Sequence, residues 1–144
     1  MSEIDEQIWI GNQGDSNNEQ HLKDKQITHI LSCGIEFNHP PGFLYVIGNP
    51  SEQWHKIPII DETQTEFTEG QFREGAAKIN EWILKKHKIM VHCFAGISRS
   101  VSVVIAYYIL YKGWSFDIAL SHVKQRRIQA NPCPSFIPIL KSLS

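Results

Sequence analysis

The stretch VHCFAGISRS, residues 91–100, places a cysteine, a glycine and an arginine between two apolar segments. The segment that leads into it, IMVHC (residues 89–93), is too short for a buried helix and predicts a buried strand. The segment that follows, SVSVVIAYYILYKG (residues 100–113), is apolar on nearly every side, which predicts a buried helix. A buried strand that leads into a buried helix is typical of an α/β sheet. We therefore expect residues 94–99 to form a turn at the carboxyl end of a strand.

The rest of the chain predicts strands in its first half and helices in its second. The strand candidates are QIWIG (7–11), THILSCG (28–34), LYVIG (44–48) and WHKIPII (54–60). The further helix candidates are TEGQFREGAAKINEWILKKH (68–87), SFDIALSHVKQRR (115–127) and PSFIPILKSLS (134–144). This order predicts an α/β fold with a central, twisted, mostly parallel sheet and helices on both of its faces. The length of 144 residues fits one domain, residues 1–144.

Several residues predict where these helices begin and end. Thr68 and Gln71 have the spacing of a capping box, and Ser115 is a candidate N-cap. Gly113 predicts a C-terminal stop, and Pro138 falls in a first turn, where proline is tolerated.

Composition excludes some classes of function and partner. The formal net charge is −1, which argues against attraction to nucleic acid or to an acidic membrane. The first residues, MSEIDEQIWI, lack the features of a signal peptide, and the longest apolar run is too short to span a bilayer. We expect a monomer in the cytoplasm, or in the cytoplasm and nucleus. The three cysteines and seven histidines have neither disulfide-framework nor zinc-ligand spacing.

The turn at residues 94–99 has the composition of an anion cradle, with Cys93 at its start. Successive backbone N–H groups of residues 94–99 can surround an anion at a helix N-terminus, and Gly96 allows a tight turn. Arg99 can donate two parallel hydrogen bonds to a phosphate. Cys93, beside this helix N-terminus and this arginine, is expected to be a thiolate and a nucleophile for a bound phosphoryl group. A lone cysteine is usually an inert buried thiol, but the combination with Gly96, Arg99 and Ser100 favours the reactive interpretation.

The segment HCFAGISRS resembles the signature of the cysteine-dependent protein phosphatases, and its AGxSRS form is most similar to the dual-specificity branch. Four further segments are similar to that family in the same order along the chain. They are IWIGN, ITHILSCG, IPIIDETQTEF and NPCPSF. The resemblance implies a small atypical dual-specificity phosphatase that acts on phosphotyrosine and on phosphoserine or phosphothreonine. It implies neither a metal nor an organic cofactor, because Arg99 and the loop amides replace a metal clamp.

The resemblance also implies the roles of the signature residues. Cys93 attacks phosphorus and forms a phosphocysteine, while Arg99 holds the phosphoryl oxygens in the transition state. His92 orients the loop by hydrogen bonding, an assignment that is compatible with an ordinary buried histidine. Ser100 donates a hydrogen bond to the sulfur during hydrolysis, or simply caps the helix. The remaining phosphate-binding positions of the loop are Phe94, Ala95, Gly96, Ile97 and Ser98.

A leaving alkoxide or phenoxide needs a proton from a carboxylic acid. Asp61 follows the apolar segment IPII and matches the acid position of the family. Glu62, Glu66 and Glu69 are rivals nearby, because a sequence does not determine loop geometry. Arg127 is a candidate for a second anion contact, with a solvent-facing charge at a helix end as the alternative.

Other functions remain open at this point. A phosphoprotein-binding module without turnover would need neither nucleophile nor acid, and a rhodanese-like sulfurtransferase would have no use for Asp61. The loop carries no lysine, which in this family favours a phosphoprotein over an inositol lipid. Cys33 can form a protective disulfide with Cys93, although a buried small hydrophobe is the more common state of such a cysteine.

Overall fold

The computed structural model describes the backbone of residues 1–144 and all side chains except those of residues 46 and 47. The strands are β1 (Ser2–Asp5), β2 (Ile8–Gly11), β3 (His29–Cys33), β4 (Trp54–Ile57) and β5 (Ile89–His92). The helices are α1 (Gln13–Ser16), α2 (Glu19–Asp24), α3 (Phe43–Ile47), α4 (Pro50–Gln53), α5 (Thr68–Leu84), α6 (Arg99–Lys112), α7 (Phe116–Arg126) and α8 (Ile137–Ser142). Among these described elements, no helix combines the length and apolarity needed to cross a membrane.

The five strands form one sheet in the order β1-β2-β5-β3-β4. Strand β1 is antiparallel to β2, and the other three pairings are parallel. The predicted mostly parallel α/β sheet is therefore confirmed. Strand β5 lies at the centre between β2 and β3, and β4 lies on the far side of β3. Because these four strands run parallel, their carboxyl ends meet at one edge, where α/β sheets bind ligands.

The strands bury alternate side chains on opposite faces of the sheet. In β5, Ile89 and Val91 join a core built with α5, α6, α7 and α8, while Met90 joins a smaller core on the other face. Strand β2 follows the same pattern, because Ile8 and Ile10 face the larger core and Trp9 the smaller one. This alternation is the period of two that a strand imposes. Helices thus cover both faces, as predicted.

Most of the predicted helix ends are confirmed. Gly113 has φ 70°, in the left-handed region, and ends α6. The Ser115 side chain accepts a hydrogen bond from the backbone N–H of Ile118 and caps α7, and Pro138 lies in the first turn of α8. The capping box at Thr68 is wrong. Thr68 is already helical, and its Oγ1 accepts from the backbone N–H of Thr65 at 2.8 Å, so the hydroxyl stabilises the preceding turn instead.

The strand predicted at LYVIG (44–48) is also wrong, because this segment belongs to α3. Phe43 and Leu44 pack into the smaller core beside Trp9 and Ile30. A short apolar run has the same pattern in a buried strand and in one turn of a buried helix. Only the tertiary packing distinguishes the two, so local sequence was insufficient here.

Candidate active site

The sulfur of Cys93 lies at the carboxyl end of the central strand and at the start of α6. Strand β5 ends at His92, and α6 begins at Arg99, so residues 93–98 form the connecting loop. The predicted turn is confirmed one residue earlier than expected, because Cys93 belongs to the loop and Arg99 to the helix. The backbone N–H of Gly96 donates to Cys93 Sγ at 3.3 Å, and Ser100 Oγ lies 3.2 Å from the same sulfur. The backbone N–H of Gly96 and the hydroxyl of Ser100 are thus both placed to donate a hydrogen bond to this sulfur.

Three carbonyl groups of the loop are held from outside by neighbouring segments. The carbonyl of Phe94 accepts from the Gln13 N–H at 2.9 Å, and that of Ile97 accepts from the Asn131 N–H at 2.8 Å. The carbonyl of Gly96 accepts from Arg127 Nε at 2.7 Å. In a trans peptide the following N–H points away from the carbonyl. The N–H groups of residues 95, 97 and 98 therefore point to the opposite side of their peptide planes, which gives the donor arrangement of an anion cradle.

Gly96 is the one position of this loop with a left-handed backbone, at φ 69°. A Cβ on Gly96 would lie 2.6 Å from the carbonyl oxygen of Gly11 and 2.6 Å from Arg127 Nη2. Glycine is thus required both by conformation and by the close approach of β2.

The guanidinium of Arg99 is buried, with its side chain 3% exposed. Its Nη1 and Nη2 donate to the two carboxylate oxygens of Glu36 at 2.7 and 2.8 Å. Its Nε is buried and has no hydrogen-bond partner among the described residues, and it lies 3.5 Å from Asp61 Oδ1. A buried cationic N–H without a partner is costly unless a ligand satisfies it. This donor can serve an anion bound above Cys93.

Glu36 was not among the candidate residues from the sequence. The hydrogen bonds from Arg99 hold the pKa of its carboxyl below its ordinary value, so it is ionised near neutral pH. Glu36 follows β3 at the same sheet edge as Cys93. The usable signal was an acidic residue two positions after the predicted strand THILSCG (28–34), at the sheet edge where Arg99 was expected.

A pocket of about 580 Å³ opens above Cys93. It brings Asp61 and Glu62 together with Cys93 and Arg99, whereas Glu66 and Glu69 do not line it. The other lining residues are Phe94, Ala95, Ile97, Ser98, Asn131, Cys133, Pro134 and Ser135. The carboxylates of residues 61 and 62 are therefore within the site, while Glu69 instead forms an ion pair with Arg73. A nucleophile, an anion cradle and a carboxylic acid in one pocket can transfer a phosphoryl group.

The family model for the catalytic domain of dual-specificity phosphatases matches residues 8–143. The chain belongs to this family. This dual-specificity phosphatase is 34% identical to dual specificity protein phosphatase 1B of Arabidopsis thaliana, over 98% of this chain and 80% of the relative. It is a small atypical member of the cysteine-dependent phosphatases and a protein phosphatase, which sets the sulfurtransferase alternative aside.

Two solved structures resemble the phosphatase over nearly its whole length. The crystal structure of DUSP15 superposes with a TM-score of 0.84 at 27% identity, and covers 99% of this chain and 85% of that chain. The structure of the human tyrosine phosphatase-like serine/threonine/tyrosine-interacting protein has a TM-score of 0.82 at 27% identity, with coverages of 99% and 93%.

His92 joins the phosphatase signature loop to the neighbouring strands through a chain of hydrogen bonds. Trp54 Nε1 donates to Ser32 Oγ at 2.8 Å, which leaves the Ser32 hydroxyl proton for His92 Nε2 at 2.6 Å. His92 Nδ1–H then donates to the carbonyl of Cys93 at 3.2 Å. Burial lowers the pKa of His92 to about 4, so the ring is neutral and this tautomer is retained. The orienting role predicted for His92 agrees with these contacts, whereas Ser32 and Trp54 were not anticipated.

Arg127 lies beneath the loop rather than at the pocket. Its side chain is buried, with Nε bonded to the Gly96 carbonyl and Nη1 bonded to Ser2 Oγ at 2.9 Å. The solvent-facing alternative for Arg127 is therefore wrong, since the turn after α7 directs this side chain inward. The second anion contact stays a prediction.

Cys33 is fully buried, as expected of a small buried hydrophobe. Burial, and to a lesser extent the nearby Cys93, raises the pKa of its thiol well above the ordinary value.

Proposed function

We propose that this phosphatase hydrolyses phosphotyrosine and phosphoserine or phosphothreonine in proteins through a phosphocysteine intermediate. Cys93 is the nucleophile, Arg99 and the loop amides bind the phosphoryl oxygens, and Asp61 is the general acid. The observation that carries this proposal is the buried Arg99 Nε, which has no partner among the described residues and lies 3.5 Å from Asp61 Oδ1 in the pocket above Cys93.

In the first step the Cys93 thiolate attacks phosphorus while the bond from phosphorus to the leaving oxygen breaks. Asp61 gives its proton to that oxygen, which departs as a neutral hydroxyl group. Negative charge on the transferring oxygens is stabilised by the N–H groups of the loop and by Arg99, in a geometry that Glu36 holds before substrate arrives.

In the second step water attacks the phosphocysteine. The Asp61 carboxylate accepts the proton of this water, the bond between sulfur and phosphorus breaks, and phosphate leaves. The returning negative charge on Cys93 Sγ is stabilised by Ser100, whose hydroxyl lies 3.2 Å away. A serine hydroxyl this close to the sulfur supports the hydrolysis role. The helix-cap alternative for Ser100 is wrong, because Ser98 is the N-cap of α6 and Ser100 lies within its first turn.

Hydrolysis of two small aryl phosphates in the presence of a chelator tests the proposal. Nitrophenyl phosphate has a leaving group that scarcely needs a proton, whereas phenyl phosphate depends on the acid. We expect Cys93→Ser to abolish turnover of both. Asp61→Asn should lower kcat on phenyl phosphate roughly 100-fold and on nitrophenyl phosphate much less. Asp24→Asn, which removes an exposed carboxylate on α2, is the matched control.

Two results would contradict the proposal. Equal losses on both substrates in Asp61→Asn would remove this residue from the role of acid, and Glu62→Gln would then be compared in the same assay. Phosphate binding without turnover in the wild type would leave the binding-module alternative. The monomeric state and the cytoplasmic or nuclear location stay predictions of the sequence.

A further inference from the structure

The segment that borders the pocket on the side of the proposed acid is strongly acidic. Residues 61–69 carry Asp61, Glu62, Glu66 and Glu69 and contain no lysine or arginine. Among these, Glu69 is paired with Arg73, whereas Glu62 forms no ion pair or side-chain hydrogen bond among the described residues. Of these four acidic residues, Asp61 and Glu62 line the pocket.

Glu62 is held at the mouth of the pocket by a continuous set of contacts. Its backbone has φ 57°, an uncommon conformation for a residue with a side chain. Ser135 Oγ donates to the carbonyl of Glu62 at 3.5 Å and lies 3.2 Å from Cys133 Sγ. The backbone N–H of Cys133 in turn donates to Ser98 Oγ at 2.8 Å, within the catalytic loop. The turn at Glu62 is thereby tied to the loop that binds the phosphate.

The charge at this mouth is negative before substrate arrives. Among the described lining residues Arg99 is the one with a cationic side chain, and its charge is already paired with Glu36. Lys56 donates to the carbonyl of Ile35 at 2.9 Å and does not line the pocket. A substrate that brings a phosphate dianion and further negative charge would therefore be repelled. A substrate with a cation beside the phosphate would be attracted.

We infer that Glu62 selects phosphoprotein substrates that carry lysine or arginine within two residues of the phosphorylated residue, and disfavours substrates with acidic or phosphorylated neighbours. This inference rests on the proposed function. Two residues of extended chain span about 7 Å, so a cation within this range stays close to the phosphate. The exposed position of Glu62 limits the effect to that of a surface ion pair, roughly three- to fivefold in kcat/KM.

Three phosphotyrosine peptides that differ only in their flanking residues, as lysine, glutamine or glutamate, test the inference. We expect the wild type to prefer the lysine peptide to the glutamate peptide by roughly three- to fivefold in kcat/KM at low salt. In Glu62→Gln the ratio should approach one, and in Glu62→Lys it should reverse. Glu66→Gln removes the same charge from the same segment outside the pocket, so it should keep the wild-type ratio.

Equal rates on the three peptides, or a preference that persists in Glu62→Gln, would overturn the inference. The same peptides are also bound to Cys93→Ser, and the ratio of their Kd values is measured. If the wild type turns over no substrate but these Kd values keep the expected order, the proposed function fails and the selectivity of Glu62 stands. If turnover is normal but neither kcat/KM nor Kd depends on the flanking residues, the proposed function stands and the selectivity of Glu62 fails.

Discussion

Arg99 and Glu36 form a bidentate ion pair, at 2.7 and 2.8 Å, across 63 positions of the chain. Both terminal nitrogens of the guanidinium donate to this carboxylate, which fixes the direction of the side chain. Nε has no partner among the described residues and lies 3.5 Å from Asp61 Oδ1. Charge-assisted pairs of this geometry contribute orientation as well as energy. Glu36 does not line the pocket, so its proposed role is to position Arg99.

Replacement of Glu36 by glutamine should lower kcat/KM on a small aryl phosphate roughly 10- to 100-fold. Glutamine offers a single acceptor oxygen and no charge, so Arg99 loses the contact that sets its direction. The measurement is steady-state kinetics, with thermal unfolding as a check that the variant is folded. Glu74→Gln removes a carboxylate that pairs with His55 at the surface and should leave kcat/KM unchanged. Unchanged kinetics in Glu36→Gln would contradict the positioning role.

Gly96 and Gly113 provide a matched pair, because their φ values are 69° and 70°. Alanine at either position must adopt the left-handed conformation, which lowers the free energy of unfolding by about 1 kcal/mol. A Cβ at Gly113 meets no atom within 4 Å, whereas at Gly96 it meets the Gly11 carbonyl oxygen at 2.6 Å. We therefore expect Gly113→Ala to lose stability and keep activity, and Gly96→Ala to lose at least 100-fold in kcat/KM. Urea unfolding and kinetics on both variants check this, and a fully active Gly96→Ala would contradict it.

The parts of the site that were predicted from the sequence depend on local patterns. Cys93, Arg99 and Ser100 lie within one strand-turn-helix unit, so their spacing alone indicates a cradle with a nucleophile. Asp61 was predicted because it follows a strand whose carboxyl end had to reach the same edge of a parallel sheet. The short, fully apolar run of β5 and the all-round apolarity of α6 were likewise sufficient to predict those elements.

The parts that were missed depend on contacts between distant segments. Trp54 supports His92 through Ser32, a relationship that exists only because β3 lies between β4 and β5. Strand β1 was missed because its sequence SEID is short and mostly polar, and only its pairing with β2 makes it a strand. Arg127 has the sequence context of a helix-end charge, and only the packing of α7 brings it to the Gly96 carbonyl.

Substitution of Arg127 tests whether its side chain supports the loop or contacts an anion of the substrate. Its Nε and Nη1 bond two separate groups, Gly96 O and Ser2 Oγ, which a lysine amine cannot reach together. If Arg127 supports the loop, Arg127→Lys and Arg127→Gln should both lower kcat by roughly tenfold. An anion contact predicts instead a raised KM that lysine largely restores. The exposed neighbour Arg126, as Arg126→Gln, is the control and should change neither parameter.

Two buried histidines should make the protein less stable in mild acid. Burial lowers the pKa of both His29 and His92 to about 4, whereas an unfolded chain has a value near 6.5. Above pH 6.5 both states are neutral. Between pH 6.5 and 4 only the unfolded chain binds the protons, so stability falls as the pH falls. We expect the free energy of unfolding to drop by about 2 kcal/mol for each histidine between pH 7 and 5.

Urea unfolding at a series of pH values measures this loss. His29→Gln removes one of the two histidines and leaves the catalytic loop unchanged. It should therefore halve the decrease in the free energy of unfolding between pH 7 and 5. His21→Gln removes an exposed histidine on α2, and its free energy of unfolding should depend on pH as in the wild type. His92 should contribute the other half of this loss, because it is the second histidine whose pKa burial lowers. A free energy of unfolding that stays constant from pH 7 to 5 would show that His29 and His92 are not kept neutral by burial.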